Sequence, residues 1–294
     1  MTRTRGLLTA AAIPMLLLGA CARPGAAGEA GAPGPVTGSP VTESAAVPAD
    51  DAVVLRVHHR GGFVPPQFLV GRLPLVSVYA DGRVITEGPT TLIYPGPALP
   101  NLQVARISPQ QVKQLAAEAE KAGVKTGADF GTPGVADIPS TVVTVVTGYG
   151  TQTVDVVALN EAQPDDSALT AANRADRKKL KAFVDKLTGL GGTGAEPYRP
   201  RELAAIAQPW TDPGDGLGGE PVAWPGPQLP GEALNKAAGI HCVAVSGAQK
   251  DAVWAAASTA NQRTAWTSGD KQWSVLFRPL LPDESGCGSL RSAE

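Results

Sequence analysis

Two paired segments rich in valine and threonine constrain the fold of this chain most. Thr141 to Thr147 and Thr151 to Leu159 flank Gly148-Tyr149-Gly150. β-Branched residues on both sides of a glycine turn predict an antiparallel hairpin. An earlier pair repeats the pattern: Leu73 to Tyr79 and Arg83 to Thr86 flank Asp81-Gly82, a type I′ hairpin signal. Val53 to His59 predicts a further strand, ending at Gly61-Gly62. A helix is expected between the hairpins. Ser108 suits its N-cap, Pro109 its first position, and Gln111 completes a capping box. Val112, Leu115, Ala116 and Ala119 form its apolar stripe, and Gly123 ends it. A second helix is predicted from Leu169 to Leu187, burying Leu180, Phe183, Val184 and Leu187, with Gly191-Gly192 as its stop. Hairpin, helix, hairpin, helix predicts an α+β domain over residues 51–190, an antiparallel sheet with helices packed on one face.

Residues 191–220 are rich in glycine and proline and are expected to form a linker, with a candidate strand at Leu203 to Ala207. Residues 221–294 predict a smaller α+β module of β-α-β order. Its parts are a strand from Gly239 to Ser246, an alanine-rich helix from Ala248 to Asn261 and a strand from Gln272 to Phe277. Val253, Ala256, Ala257 and Ala260 share the inward face of that helix. A unit of about 70 residues buries little core and needs a staple or a neighbouring surface.

The first 20 residues have a different character. Arg3 and Arg5 precede an apolar run from Gly6 to Leu18. That run of roughly 13 residues is short of the ~20 that span a membrane, and it matches a signal-peptide core. Leu18-Gly19-Ala20-Cys21 resembles the lipobox of bacterial lipoprotein signal peptides. Together with the segment that follows, it makes the chain resemble uncharacterised extracytoplasmic lipoproteins of high-GC Gram-positive bacteria. The resemblance implies cleavage before Cys21, lipid on its sulfur, and residence on the outer face of the cell membrane. Two or three acyl chains anchor stably where one is marginal. Residues 21–50 then form the lipidated cysteine and a tether. Ten of the 29 residues from 22 to 50 are proline or glycine, with no large apolar cluster, so disorder is expected. Such a coil spans roughly 30 Å on average and about 90 Å when fully extended.

The chain has three cysteines. With Cys21 lipidated, Cys242 and Cys287 remain, and an even remainder outside the cytoplasm points to a disulfide that staples the small module. The alternative is a metal site made with His241, in which two of the three ligands would be sequence neighbours. Charge bears on partners as well. The chain carries 25 Lys+Arg and 27 Asp+Glu, and loss of Arg3 and Arg5 with the leader leaves 23 bases against 27 acids, a net charge of −4. This balance gives no footprint for nucleic acid and no basic stripe for an anionic membrane, so lipid on Cys21 must do the anchoring.

Candidate sites are few. His58 and His59 are adjacent in a predicted strand, so their side chains point to opposite faces and do not readily chelate one ion. G-x-S-x-G, H-E-x-x-H, the Walker A loop, the dinucleotide glycine fingerprint and the EF-hand loop are absent from the sequence. Asp212 and Asp215-Gly216 predict a turn, with calcium as the sharper alternative. Arg174, Arg177, Lys178, Lys179 and Lys181 crowd the second helix and are expected on its solvated face. All five tryptophans follow residue 209. Core packing is the first expectation for them, and Trp224 and Trp254 are the candidates for an exposed binding surface. The sequence therefore predicts a non-enzymatic, membrane-anchored binding or scaffolding protein of the cell envelope, with no cofactor or metal. Its expected partner is an envelope protein or a cell-wall polymer. The alternative is an extracytoplasmic hydrolase without a recognisable motif.

Overall fold

The computed structural model describes residues 49–192 and 194–291. The predicted signal segment, Cys21 and nearly all of the expected tether lie outside the described residues. Alternating apolar residues build the first sheet. Its first strands are β1 (Val53–Arg60), β2 (Val76–Tyr79), β3 (Arg83–Glu87) and β4 (Leu102–Arg106), with a short helix α1 (Pro66–Gly71) between β1 and β2. The helix α2 (Pro109–Lys121), the hairpin β5 (Ser140–Thr147) and β6 (Gly150–Val157), the helix α3 (Ala171–Thr188) and the two-residue β7 (Glu196–Pro197) complete it. The strand order is β6-β5-β1-β2-β3-β4-β7, antiparallel throughout. Leu55, Val57, Val76, Val78, Val143 and Val145 pack with Val112 and Leu115 of α2 and with Leu180 and Phe183 of α3.

Local signals account for much of this. The Ser108 hydroxyl accepts from Gln111 N–H at 3.2 Å and the Gln111 side chain accepts from Ser108 N–H at 2.8 Å, as the capping box requires. Thr170 and Asn173 make a second capping box that the sequence reading missed. The turn after β2 differs from expectation. Gly82 takes positive φ (+85°) and its N–H donates to Tyr79 O at 3.0 Å, while Asp81 does not enter the left-handed region. A type I′ turn needs positive φ at two central residues, so this is a longer turn with a single left-handed glycine. Arg177 is also misplaced by the sequence reading. It is buried, and its guanidinium donates to Val157 O at 2.7 Å and Ala158 O at 2.6 Å. Carbonyls at the end of β6 draw it inward off the solvated face.

The second sheet contains β8 (Glu202–Pro209), β9 (Val222–Ala223), β10 (Glu232–Asn235), β11 (Ile240–Ser246), β12 (Ala265–Ser268) and β13 (Lys271–Pro279), with α4 (Gly247–Ser258) after β11. Its order is β10-β11-β8-β13-β12-β9. All pairs are antiparallel except β9 with β12. β8 contains the candidate strand Leu203 to Ala207, within the stretch otherwise expected as a linker, and it lies between β11 and β13. Leu203, Ala205 and Ala207 face one core with Val253 and Ala257 of α4; Ala204 and Ile206 face another with Cys242, Cys287 and Leu290. Cys242 and Cys287 form a disulfide with Cα atoms 6.0 Å apart. The protein is thus of mixed α and β structure, with antiparallel sheets, few helices and one disulfide among the described residues.

Polar latches tie the chain after β13 to the first sheet. Asp283 accepts two hydrogen bonds from Arg56, at 2.8 and 3.0 Å, and one from Tyr79 Oη–H at 2.8 Å. Asp51 is 1% exposed and accepts from Arg83 at 2.5 Å and Arg201 at 2.7 Å. Burial pushes the Asp51 carboxyl up, but hydrogen bonds and charge from Arg83 and Arg201 outweigh it and hold the pKa below the ordinary 3.8. Its stabilising contribution is therefore complete above the unfolded value and is lost as pH falls through the lower folded value. Asp51→Asn is expected to cost about 3 kcal/mol at neutral pH, the low end of the range for broken buried pairs because Arg201 is largely exposed. Urea unfolding should show that gap unchanged from pH 7 to 5 and shrinking below about pH 4; a gap that closes above pH 5 would contradict the assignment.

Candidate functional site

A cleft of about 760 Å³ opens beside the first sheet. Its walls are α1 and the loop from Gly88 to Asn101, and its lining includes His59, Glu87, Leu276 and Phe277. α1 is set by its flanks. Gly61 and Gly62 take positive φ (+66° and +86°), turning the chain after β1, and Pro65-Pro66 start the helix. Arg72 donates to Gly61 O at 2.9 Å and closes this excursion. Gly71 has no Cβ where one would strike Leu276 and Ile206, so the helix end lies directly on the second sheet.

The opposite wall is a loop rich in proline. Pro89, Pro95, Pro97 and Pro100 lack N–H groups, which prevents an ordinary ladder here. Its base closes through Gly88 N–H to Asn101 O at 2.7 Å. Its far side docks beyond α4, where Ala98 N–H donates to Ala260 O at 3.1 Å and Gln262 N–H to Gly96 O at 2.9 Å. The cleft thus forms where elements of the two sheets meet.

Apolar side chains dominate its lining: Phe68, Leu73, Leu75, Ile93, Leu276 and Phe277. The polar groups are His59, Arg72, Glu87, Asn101, Gln262 and two threonines. Glu87 is exposed into the cleft, where surrounding protein limits its hydration and pushes its carboxyl above the ordinary glutamate value; the Arg278 charge opposes this. His59 Nδ1 is buried without a hydrogen-bond partner among the described residues. His58 Nδ1 is likewise unpartnered, and burial, then the charges of Arg56 and Arg60, lower the His58 pKa. His59 lines the cleft and His58 does not. Among the described residues, the cleft lining includes no serine or cysteine.

A smaller pocket of about 410 Å³ lies against α3 and is lined by Arg174, Arg177, Lys178 and Lys181. Most of these cations are engaged within the chain. Arg174 and Arg177 donate to carbonyls, and Lys181 pairs with Asp185 at 2.9 Å. The larger cleft, with exposed apolar walls and an unpartnered histidine nitrogen, is the stronger candidate.

Of the residues singled out from sequence, Trp224 is 9% exposed and its indole N–H donates to Pro227 O at 2.7 Å. It packs in the core with Trp266 and Phe277, which removes it as an exposed contact. Trp254 is half-buried and packs against the same core. His241 Nδ1 lies 3.1 Å from Gly239 O, and its neighbour Cys242 is in the disulfide rather than a metal site. Asp212 and Asp215 accept from Gly214 N–H and Leu217 N–H, and Asp215 pairs with Arg263, as turn residues do. Among the described residues no group of three His, Cys, Asp or Glu could hold a metal ion. Sequence reasoning missed the cleft. Its one local signal was Leu92-Ile93-Tyr94, three large apolar residues inside a proline-rich loop.

No protein-family model matches the chain, and no curated protein or solved structure matches it significantly.

Proposed function

We propose that the protein is a lipid-anchored binding protein of the outer face of the cell membrane, attached through Cys21. In this reading its folded head takes an amphiphile, a ligand with an apolar body and a polar end, into the cleft. One observation carries the proposal: a cleft of about 760 Å³ with apolar walls and a few polar groups. Ligand sites for small molecules have this size and make-up, roughly 300–1,000 Å³ with sparse orienting polar groups. Phe68, Leu73 and Ile93 suit the apolar body; Arg72, Glu87 and Asn101 suit the polar end. The lipobox resemblance supports the anchor, and the proline- and glycine-rich composition of residues 22–50 supports a folded head joined to it by a linking segment.

The test has two arms. Palmitate should label the wild type and not Cys21→Ser; equal labelling removes the anchor. The fluorescent fatty acid cis-parinarate should bind the purified chain with one-to-one stoichiometry. Thr90→Trp, which adds bulk at an exposed lining position, should weaken it at least tenfold. No binding, or equal binding by the variant, removes the ligand reading and leaves the broader expectation of an envelope protein or wall-polymer partner.

The hydrolase reading has one observation in its favour, the raised Glu87 carboxyl in the same cleft as His59. Turnover of a p-nitrophenyl acyl ester that is lost in Glu87→Ala would support it. Binding without turnover supports the amphiphile-binding reading.

A further inference from the structure

The cleft is bordered by an unusual amount of exposed apolar surface. Ten large apolar side chains are exposed among the described residues, and seven of them belong to two segments, Phe63, Val64, Phe68 and Leu69 around α1 and Leu92, Ile93 and Tyr94 in the opposite loop. Single exposed apolar residues are ordinary, but a concentration of this kind marks an interaction surface. Phe68 lines the cleft from one side and Ile93 and Tyr94 from the other, so the two segments are its opposing lips. Leu92 is fully exposed and Phe63 is 89% exposed, so these tips have almost no cover among the described residues.

We propose that these lips insert into the outer leaflet of a lipid bilayer, so that the cleft opens onto the membrane surface. Three observations favour a bilayer over a protein partner. The apolar tips come from short segments bounded by proline and glycine, Gly61-Gly62 and Pro65-Pro66 on one side and Pro89 and Pro95-Gly96-Pro97 on the other. They are wedges of aliphatic and aromatic side chains without intervening charge, the composition that settles at a membrane interface. Arg72 adds a cation beside them with no carboxylate partner among the described residues, which suits an anionic lipid headgroup. Residues 22–48 lie between Cys21 and Ala49, a length of chain that can reach at most roughly 90 Å and so lets an anchored head bring its lips to the surface. Asp137, whose carbonyl accepts the Phe63 N–H at 3.1 Å, brings an opposing acid near one lip. Apolar insertion therefore carries the binding, and electrostatics adds little.

The inference rests on the amphiphile-binding reading for its purpose, since lips on the membrane let a ligand pass between bilayer and cleft without crossing water. It is tested without the anchor. Residues 21–294 carrying Cys21→Ser retain the compact unit Ala46–Glu294. This chain should sediment with vesicles of phosphatidylcholine and phosphatidylglycerol at four to one. The triple variant Phe63→Ser, Val64→Ser, Leu92→Ser alters exposed positions outside the cleft lining, so its thermal midpoint should be unchanged and its vesicle partition should fall at least tenfold. Raising sodium chloride from low to physiological strength should change the parent's partition less than threefold. No partition by the parent, or equal partition by the triple variant, overturns the proposal. Self-association of the parent that disappears in the triple variant also overturns it and assigns the lips to a second copy of the chain. Binding of cis-parinarate in the absence of vesicles reads the cleft separately, so the two readings can fail independently.

Discussion

Replacing Cys242 and Cys287 with alanine is expected to lower stability by about 4 kcal/mol, the chain-entropy value for a loop of this length. The two cysteines are 45 residues apart and are 1% and 3% exposed. The bond joins β11 to the 3₁₀ turn Cys287–Leu290 beyond β13. Cys242 and Cys287 also belong to a small core with Ile206, Ile240, Leu280 and Leu290, so truncation removes packing along with the constraint. The segment they secure carries Asp283 and Glu284. Asp283 holds Arg56, and Glu284 holds the 3%-exposed Arg278 side chain through hydrogen bonds at 2.8 and 3.0 Å. Losing the staple should loosen both latches. For a unit of this size the thermal midpoint should fall by about 8–15 °C. Reduced wild type should match the double variant in urea unfolding, and a difference from oxidised wild type below about 1 kcal/mol would contradict the role assigned to the bond.

Trp266→Ala is expected to cost about 3–5 kcal/mol, the range for deleting a large buried aromatic side chain. Trp266 is 1% exposed. It meets Trp224 edge-on at 5.7 Å and Phe277 edge-on at 5.5 Å, while Trp224 stacks on Phe277 at 6.3 Å. Each such pair contributes about 0.5–1.5 kcal/mol beyond area burial. Trp266→Phe keeps part of the volume and should cost about half as much by the same reasoning. Near-ultraviolet circular dichroism should lose much of its intensity in Trp266→Ala and far less in Trp254→Ala, because Trp254 stands at the edge of that core. Denaturant unfolding supplies the energies. A loss below about 1 kcal/mol for Trp266→Ala would mean that the aromatic cluster does not organise the second sheet. Against a total stability of roughly 5–15 kcal/mol, either change brings the fold near its limit.

Much of the first sheet was legible because its signals are local. Valine and threonine around Gly148-Tyr149-Gly150 form the β5–β6 hairpin, and Ser108 with Gln111 starts α2. β8 was harder. Leu203-Ala204-Ala205-Ile206-Ala207 has little β propensity of its own, and its alternating small residues fit because β11 and β13 flank it and cores lie on both faces. The tryptophan asymmetry was visible in the sequence, but exposure was not. Trp224 was a candidate for an exposed surface, but Trp266 and Phe277 enclose it from distant positions in the chain.

The sequence by itself determined the hairpins, the capping box of α2, the pairing partners left for a disulfide and the expectation of a lipid anchor at Cys21. Each follows from residues close together in the chain or from a simple count. Only the tertiary structure decided which tryptophans are buried, that β8 joins the second sheet, and that His59, Phe68, Glu87, Ile93 and Leu276 share one cleft. Those outcomes depend on contacts between segments far apart in sequence, where burial and convergence are set by how sheets and loops meet rather than by any local pattern.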